Sequence, residues 1–331
     1  MTGRRQVIIR LQFLVNHYQE PPEIVRRLLE SIAMQDAIIP NEDYNVLICN
    51  DGEERVLEAE FLNSFPFKID YRIMPHRGVC ATRNTLLDMA TADYVMFCDA
   101  DDCFSSPKGV SVLLRFADYG NVDAVSAPFD EEVKAKGSDK FVLRRIPKNL
   151  IWIHNKLFRR QFLLENDIRF PEEVKHAGDM TFVWHVFHAS ENTIHSPEGH
   201  YTWKYNEDSV TRKLPYAGTR FYGSEIRAYK VLTDKLISRG QEQLYQELIA
   251  SLITTMYIRC KFIGWGLAPK EYVDDAKSMI KDYVQRYAQY YKSTSEDFRL
   301  QICNRIFTRK HTQEARITPC EILGWVDKVN E

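Results

Sequence analysis

Three carboxylates stand within four residues at Asp99-Ala-Asp101-Asp102, directly after the apolar run Tyr94-Val-Met-Phe-Cys98. Carboxylates this close repel one another unless a cation neutralises them. Oxygen ligands at a strand end suit Mg2+ or Mn2+, with substrate phosphates completing the coordination. A metal held there would screen a diphosphate leaving group as its bond breaks. The same spacing also fits a solvated acidic turn capping the next helix, and spacing alone divides the two readings evenly.

Three further groups invite chemistry. Gly78-Val-Cys-Ala-Thr-Arg83-Asn84 opens a helix before that strand. Its glycine permits a close approach, and Arg83 in the first turn can reach a phosphate or place the acidic loop. Taken alone, the plainer reading is a turn glycine and a surface arginine. Asn50-Asp51-Gly52 follows another strand. Asp51 can accept from a base N–H or a ribose hydroxyl, although an isolated Asp-Gly pair reads first as a turn. His176-Ala-Gly-Asp179 precedes the apolar, helix-like Met180–Ala189. Asp179 there either caps the helix or deprotonates an acceptor hydroxyl. Trp152 and Trp203 offer flat faces on which a ligand ring could stack, and equally serve as core aromatics.

These residues need elements to hold them. Val7–Val15, Tyr44–Cys49, Ile69–Met74, Tyr94–Cys98 and Asp123–Phe129 read as strands. Pro21–Gln35, Val56–Phe65 and Cys80–Ala90 read as helices between them. Such alternation predicts an α/β fold: a Rossmann-like, mostly parallel sheet with helices on both faces. Ligands on these sheets sit at the carboxyl ends of the strands, where Asp51 and the Asp99 cluster fall. Glu131–Lys140 reads as a charged loop or hairpin tip. From Tyr216 onward the pattern is helical, over Ile226–Leu236, Gln243–Phe262, Pro269–Tyr290 and Ser295–Ile306. A boundary near Leu214-Pro215 divides a catalytic domain, 1–214, from a helical domain, 215–331, fit for acceptor binding or oligomerisation.

Composition narrows the class. With 331 residues, 44% hydrophobic and 27% charged, the chain is globular and long enough for one large domain or two. A net charge of −2 carries no global basic field of the kind that attracts nucleic acid. Lys and Arg do outnumber Asp and Glu after Pro215. No run of 18 apolar residues predicts a membrane span. The opening MTGRRQVIIRLQFLV is broken by Arg10 and Gln12 and reads as a strand rather than a signal peptide. Seven cysteines, none in a CxxC pair, read as reduced thiols of a cytoplasmic protein, with attachment to the inner membrane face left open.

Taken together and in order, these features resemble glycosyltransferase family 2, with the GT-A fold, over about residues 5 to 213. The resemblance runs through VIIRLQFLVNHYQ, SIAMQ, ICNDG, GVCATRN, YVMFCDADD, NKLFRRQFLLENDIRF, HAGD and HYTWKYNEDSVTR. It implies an inverting transferase that moves a sugar from a nucleotide-sugar to an acceptor hydroxyl in one in-line displacement. It makes Asp51 the acid that recognises the base, with Asn16 and Tyr18 in the loop that contacts it. Arg83 matches the arginine near base and phosphates. Asp99 and Asp101 match the DXD acids, which face ribose and Mn2+ or Mg2+. Asp179 matches the catalytic base. Some relatives supply a histidine to the metal downstream of the base; His195 and His200 lie in that segment, and His200 is preferred.

The chain departs from the family pattern in three places. Gly178 replaces the usual Glu before the base, which puts the acceptor class in doubt. Arg10 and Gln12 replace apolar residues. The Gln-x-x-Arg-Trp motif of polymerising members is absent, so one sugar is added per encounter. Family frequency favours a UDP-sugar donor and an acceptor that is a surface glycan or a wall polymer such as teichoic acid. A viral transferase acting on hydroxymethylated DNA keeps the chemistry and changes the acceptor, and would show steep salt dependence. A nucleotidyltransferase would open with a Gly-rich phosphate loop, which Val-Asn-His-Tyr-Gln-Glu-Pro-Pro lacks. A non-catalytic glycan-binding module would not need acids at all four positions.

Overall fold

The computed structural model describes residues 9–135, 137–174, 176–207, 217–266, 268–310 and 318–330, with the backbone alone at 217–221 and 307–310. The chain divides into two compact units, Met1–Asp208 and Ser209–Glu331. The expected boundary at Leu214-Pro215 lies outside the described residues.

Unit 1 begins with β1 (Leu11–His17), α1 (Pro22–Ala33), β2 (Tyr44–Asp51), α2 (Ala59–Leu62), β3 (Ile69–Met74), α3 (Val79–Met89) and β4 (Tyr94–Asp99). After these come β5 (Cys103–Phe104), α4 (Ser111–Ala117), β6 (Ala124–Ser126), β7 (Phe129–Lys134) and β8 (Phe141–Ile146). It ends with β9 (Lys156–Arg159), α5 (Arg160–Glu165), α6 (Gly178–Ala189), β10 (Thr193–His195) and β11 (Tyr201–Trp203). The main sheet runs β10-β6-β9-β4-β1-β2-β3. It is parallel except at β9, which runs antiparallel to both neighbours. A second sheet, β5-β11-β7-β8, extends the molecule beyond the acidic loop.

Strands covered on both faces read as continuous apolar runs, and β1 shows why. Leu11, Phe13 and Val15 enter one core cluster and Leu14 the other, on the opposite face. Gln12 is buried because its Oε1 accepts from the Thr91 and Ala92 amides, at 2.6 and 2.9 Å. A polar residue in an apolar strand thus satisfies the turn before β4. In α1, Pro21 and Pro22 set the start, and Val25, Leu28, Leu29 and Ile32 form the buried stripe.

Two expected elements differ. The helix expected over Val56–Phe65 contracts to the four residues of α2, none fully buried, with Phe61 and Leu62 packed on the edge of the core. The single strand expected over Asp123–Phe129 is two strands, β6 and β7, which belong to different sheets. The loop or hairpin tip expected at Glu131–Lys140 is a hairpin, with β7 reaching Lys134 and pairing antiparallel with β8.

Unit 2 holds α7 (Ala217–Ser238), α8 (Glu242–Ile258), a π-helical turn (Arg259–Ile263), α9 (Lys270–Ser293), α10 (Glu296–Lys310) and α11 (Pro319–Asn330). Tyr283, Tyr287 and Tyr291 recur at helical spacing on α9 and are buried in its core. Two of their hydroxyls are paired: Tyr283 with Thr233 at 2.8 Å inside the core, and Tyr287, which donates to Asp234 at 2.6 Å toward the surface. No described helix is long and apolar enough to cross a membrane. All seven cysteines are free.

Candidate active site

Side chains alternate along a strand, so Asn16, Asp51 and Asp99 all point to the sheet face covered by α3. Leu14, Leu47, Cys49, Val95 and Phe97 mark that face. Register pairing sets Asn16 beside Asp99 across β1 and β4. The carboxyl ends of three neighbouring parallel strands thereby present their polar residues to one helix.

Asp51 organises the start of that helix. Its Oδ1 accepts from the Arg77 amide at 2.7 Å and its Oδ2 from the Gly78 amide at 2.9 Å. Gly78 has φ 93°, a left-handed conformation that glycine adopts without penalty. His76 Nδ1 lies 3.0 Å from the same Oδ2. The Tyr18 ring stacks on the His76 ring, with centroids 4.7 Å apart and planes 26° apart. Tyr18 and His76 are exposed, so they offer a flat aromatic edge beside a fixed carboxylate.

Arg83 is buried and joins three of the expected residues. Its Nε donates to Asn16 Oδ1 at 3.3 Å, Nη2 to Asp99 Oδ1 at 2.7 Å, and Nη1 to Asp179 Oδ1. Its guanidinium lies over the Phe170 ring, 5.4 Å from the centroid. Asn84 pins Phe170 by accepting from its amide at 3.0 Å and donating to its carbonyl at 2.9 Å. Burial acts to raise the Asp99 pKa, but the Arg83 charge and the hydrogen bonds from Arg83 and Asn16 hold it below the usual carboxylate range.

The acidic loop behaves differently at each position. Asp102 is fully buried; its Oδ2 accepts from Tyr201 Oη and its Oδ1 from the Lys204 amide, both at 2.9 Å. Burial, then the charges of Asp101 and Asp99, push its pKa well up. Asp101 accepts from Asn206 Nδ2 at 2.8 Å. Burial and the Asp99 charge push it up to about 6.

His154 closes this cluster. Its Nδ1 lies 3.5 Å from Asp102 Oδ2 and 3.8 Å from Asp99 Oδ2. That nitrogen is buried without a hydrogen-bond partner. The ring is sandwiched with Tyr201 and Trp203, 5.8 and 5.4 Å between centroids, and burial lowers its pKa, favouring the neutral imidazole. Among the described residues, Asp99, Asp102 and His154 bring one ligand atom each within 4.8 Å of one another. Two carboxylates and a neutral imidazole with an unused nitrogen fit a divalent cation such as Mn2+.

His200, expected as the third ligand, is not brought to the acids. Its Nε2 lies 2.9 Å from Glu198 Oε1. It precedes Tyr201, and alternation along the strand gives Tyr201 the side that meets Asp102. Sequence reasoning missed His154 because it lies in a turn before β9, with no periodicity and no metal-ligand spacing around it. Its one local signal is the neighbouring Trp152, whose ring packs on Phe129 at 5.6 Å. Trp152 and Trp203 are both partly buried and packed against the core.

The sequence pattern described as Glycosyl transferase family 2 matches residues 13–187, more than half of the chain. The chain belongs to glycosyl transferase family 2. Over 219 residues it is 23% identical to a poly(ribitol-phosphate) beta-glucosyltransferase of Bacillus spizizenii, covering 61% of this chain and 33% of the relative. Over 256 residues it is 22% identical to the poly(ribitol-phosphate) beta-N-acetylglucosaminyltransferase TarP of Staphylococcus aureus, covering 72% and 76%. The chain thus spans about a third of the first of these relatives and three quarters of the second. The crystal structure of S. aureus TarS 1–349 in complex with UDP-GlcNAc superposes with a TM-score of 0.65 at 16% identity, covering 97% of this chain and 90% of that one. The shared fold is the GT-A sheet followed by a helical region.

Within that family pattern, the structure gives Gly178 a physical reason. A Cβ at 178 would overlap the Cys80 sulfur on α3. Cys80 lies one helical turn before Arg83, so the contact that needs a bare glycine also sets the first turn of α6 against the arginine. Asp179 follows directly and meets Arg83. The space on the α3 side of position 178 is filled by sulfur, and a glutamate there would have to displace it.

Proposed function

We propose that this glycosyltransferase moves a sugar from a UDP-sugar to a hydroxyl of a polyol-phosphate wall polymer, with inversion. The observation that carries the reading is the Arg83 hub, which gathers Asn16, Asp99 and Asp179 at the carboxyl ends of β1 and β4. The relatives named above supply the donor and acceptor classes.

In this reading the nucleobase lies against Tyr18 and His76, beside the fixed Asp51 carboxylate. Asp99 faces the ribose and the diphosphate side. The loop acids Asp99, Asp101 and Asp102, with His154, would hold Mn2+ or Mg2+; that cation would supply charge neutralisation to the departing diphosphate. Arg83 adds a fixed positive charge at the same place. Asp179, at the first turn of α6 and partly exposed, accepts the proton of the attacking hydroxyl. Its contact with Arg83 fixes its direction before the acceptor arrives.

Calorimetry with UDP-, GDP-, CMP- and TDP-sugars, each with and without Mn2+, tests the donor, and transfer to poly(ribitol phosphate) tests the acceptor. Metal-dependent binding of UDP-sugars and labelled polymer are expected. Metal-independent binding of another nucleotide overturns the donor assignment. Labelling of hydroxymethylated DNA in place of the polymer overturns the acceptor assignment.

A further inference from the structure

Lys156 opens β9 with its side chain fully buried. Burying an ammonium is costly unless it is paired and hydrogen-bonded, and methionine would fill similar space without that cost. Strand alternation places Lys156 on the same face as Phe158, against the aromatic layer that includes Phe182 of α6. Its Nζ donates to the Trp152 carbonyl at 2.8 Å and lies over the Phe187 ring of α6, 5.7 Å from the centroid.

Both partners lead to the transfer site. Trp152 belongs to the turn that presents His154. The rest of that turn is held by Asn149, which donates to the His154 carbonyl, and by Asn155, whose Nδ2 donates to the Pro128 carbonyl at 2.7 Å. Phe187 belongs to the helix whose first turn presents Asp179. Burial pushes the Lys156 amine well below its ordinary pKa, and the Asp179 charge opposes that shift.

We propose that Lys156 is a positioning residue of the transfer site, tying the turn that presents His154 to the helix that presents Asp179. The role rests on Asp179 being the base. The full chain is compared as wild type, Lys156→Met, Lys156→Gln and Asp179→Asn, for UDP affinity, melting temperature and UDP-sugar turnover in Mn2+. In Lys156→Met, kcat falls about 30-fold, while UDP affinity without metal stays within about threefold and melting is not lowered. Lys156→Gln keeps a donor for the Trp152 carbonyl and recovers part of kcat. A kcat within about threefold of wild type, or equal losses in kcat and metal-free UDP affinity, overturns the role. Should Lys156→Met fail to fold, Lys156→Gln carries the same comparison. If Asp179→Asn keeps the wild-type rate, the reading of Asp179 as base fails separately, and if the wild type turns over no UDP-sugar, the donor assignment does. Lys156 is then judged by the ring-proton resonances of His154, assigned with His154→Gln. Displaced resonances in the Lys156 variant support the tie, and unchanged ones overturn it.

Discussion

The strands β2 and β4 flank β1 and end at the same edge of the sheet, yet their carboxylates have opposite circumstances. Asp51, after β2, has a backbone amide on each oxygen and a histidine nitrogen beside one of them. The acids after β4 crowd one another: Asp99 leans on Arg83, Asp102 is buried against Tyr201, and Asp101 is pushed up to about 6. A carboxylate satisfied by its own backbone is a fixed recognition edge. Carboxylates that raise one another's pKa form a site short of positive charge, which Arg83 meets in part and the proposed cation would complete.

Several changes break or sharpen this contrast. The largest effect is expected at Asp179, the proposed base, which belongs to neither strand end. Asp179→Asn should lower transfer about 10²- to 10⁴-fold with UDP affinity retained, measured by turnover and calorimetry on one preparation. Equal loss of both would make Asp179 structural. Next, Asp101→Ala should weaken Mn2+-dependent UDP binding by about 10- to 100-fold and leave metal-free binding alone. Identical titrations with and without Mn2+ in the wild type would remove the distinction between the two strand ends.

Gly178→Ala should slow transfer about tenfold, and Cys80→Ala in the same chain should restore it by vacating the overlapping space. A double variant no better than the single one would refute the spacing argument. Asp51→Ala leaves the Arg77 and Gly78 amides without their acceptor and should cost about 1–3 kcal/mol of stability in thermal or urea melts. An unchanged melt would mean that Asp51 is not a strut.

The smallest effect is on pH. Asp101 has a folded pKa of about 6 against an ordinary value of 3.8, so the folded chain holds its proton more tightly. Its contribution to metal-free stability is complete below about pH 4 and is lost as the pH rises through about 6. Melts of the wild type and Asp101→Asn across that window should differ in slope, and Mn2+ should remove the difference. Parallel slopes would show that Asp101 is not perturbed.

The alternation of apolar runs and the acids that follow them was legible from the chain, because strand period and apolar content are local properties. Asp51, Arg83, Asp99 and Asp179 were nominated that way and by family resemblance. Their meeting was not legible: positions 16, 83, 99 and 179 converge only once β1, β4, α3 and α6 pack together. The short element at Ala59–Leu62 shows the limit of periodicity: Phe61 and Leu62 do meet the core, yet the helix stops after four residues, and spacing does not report where a helix ends.

The sequence by itself determined where carboxylates emerge from the sheet, since an apolar run ending in acids can end only at an edge. The tertiary structure alone decided which side chains complete the site. It set His154 rather than His200 against the acids, buried Asp102 under Tyr201, and brought Gly178 onto Cys80. Each of these depends on how distant segments approach, and one residue's shift along a strand would reverse the side from which its neighbour acts.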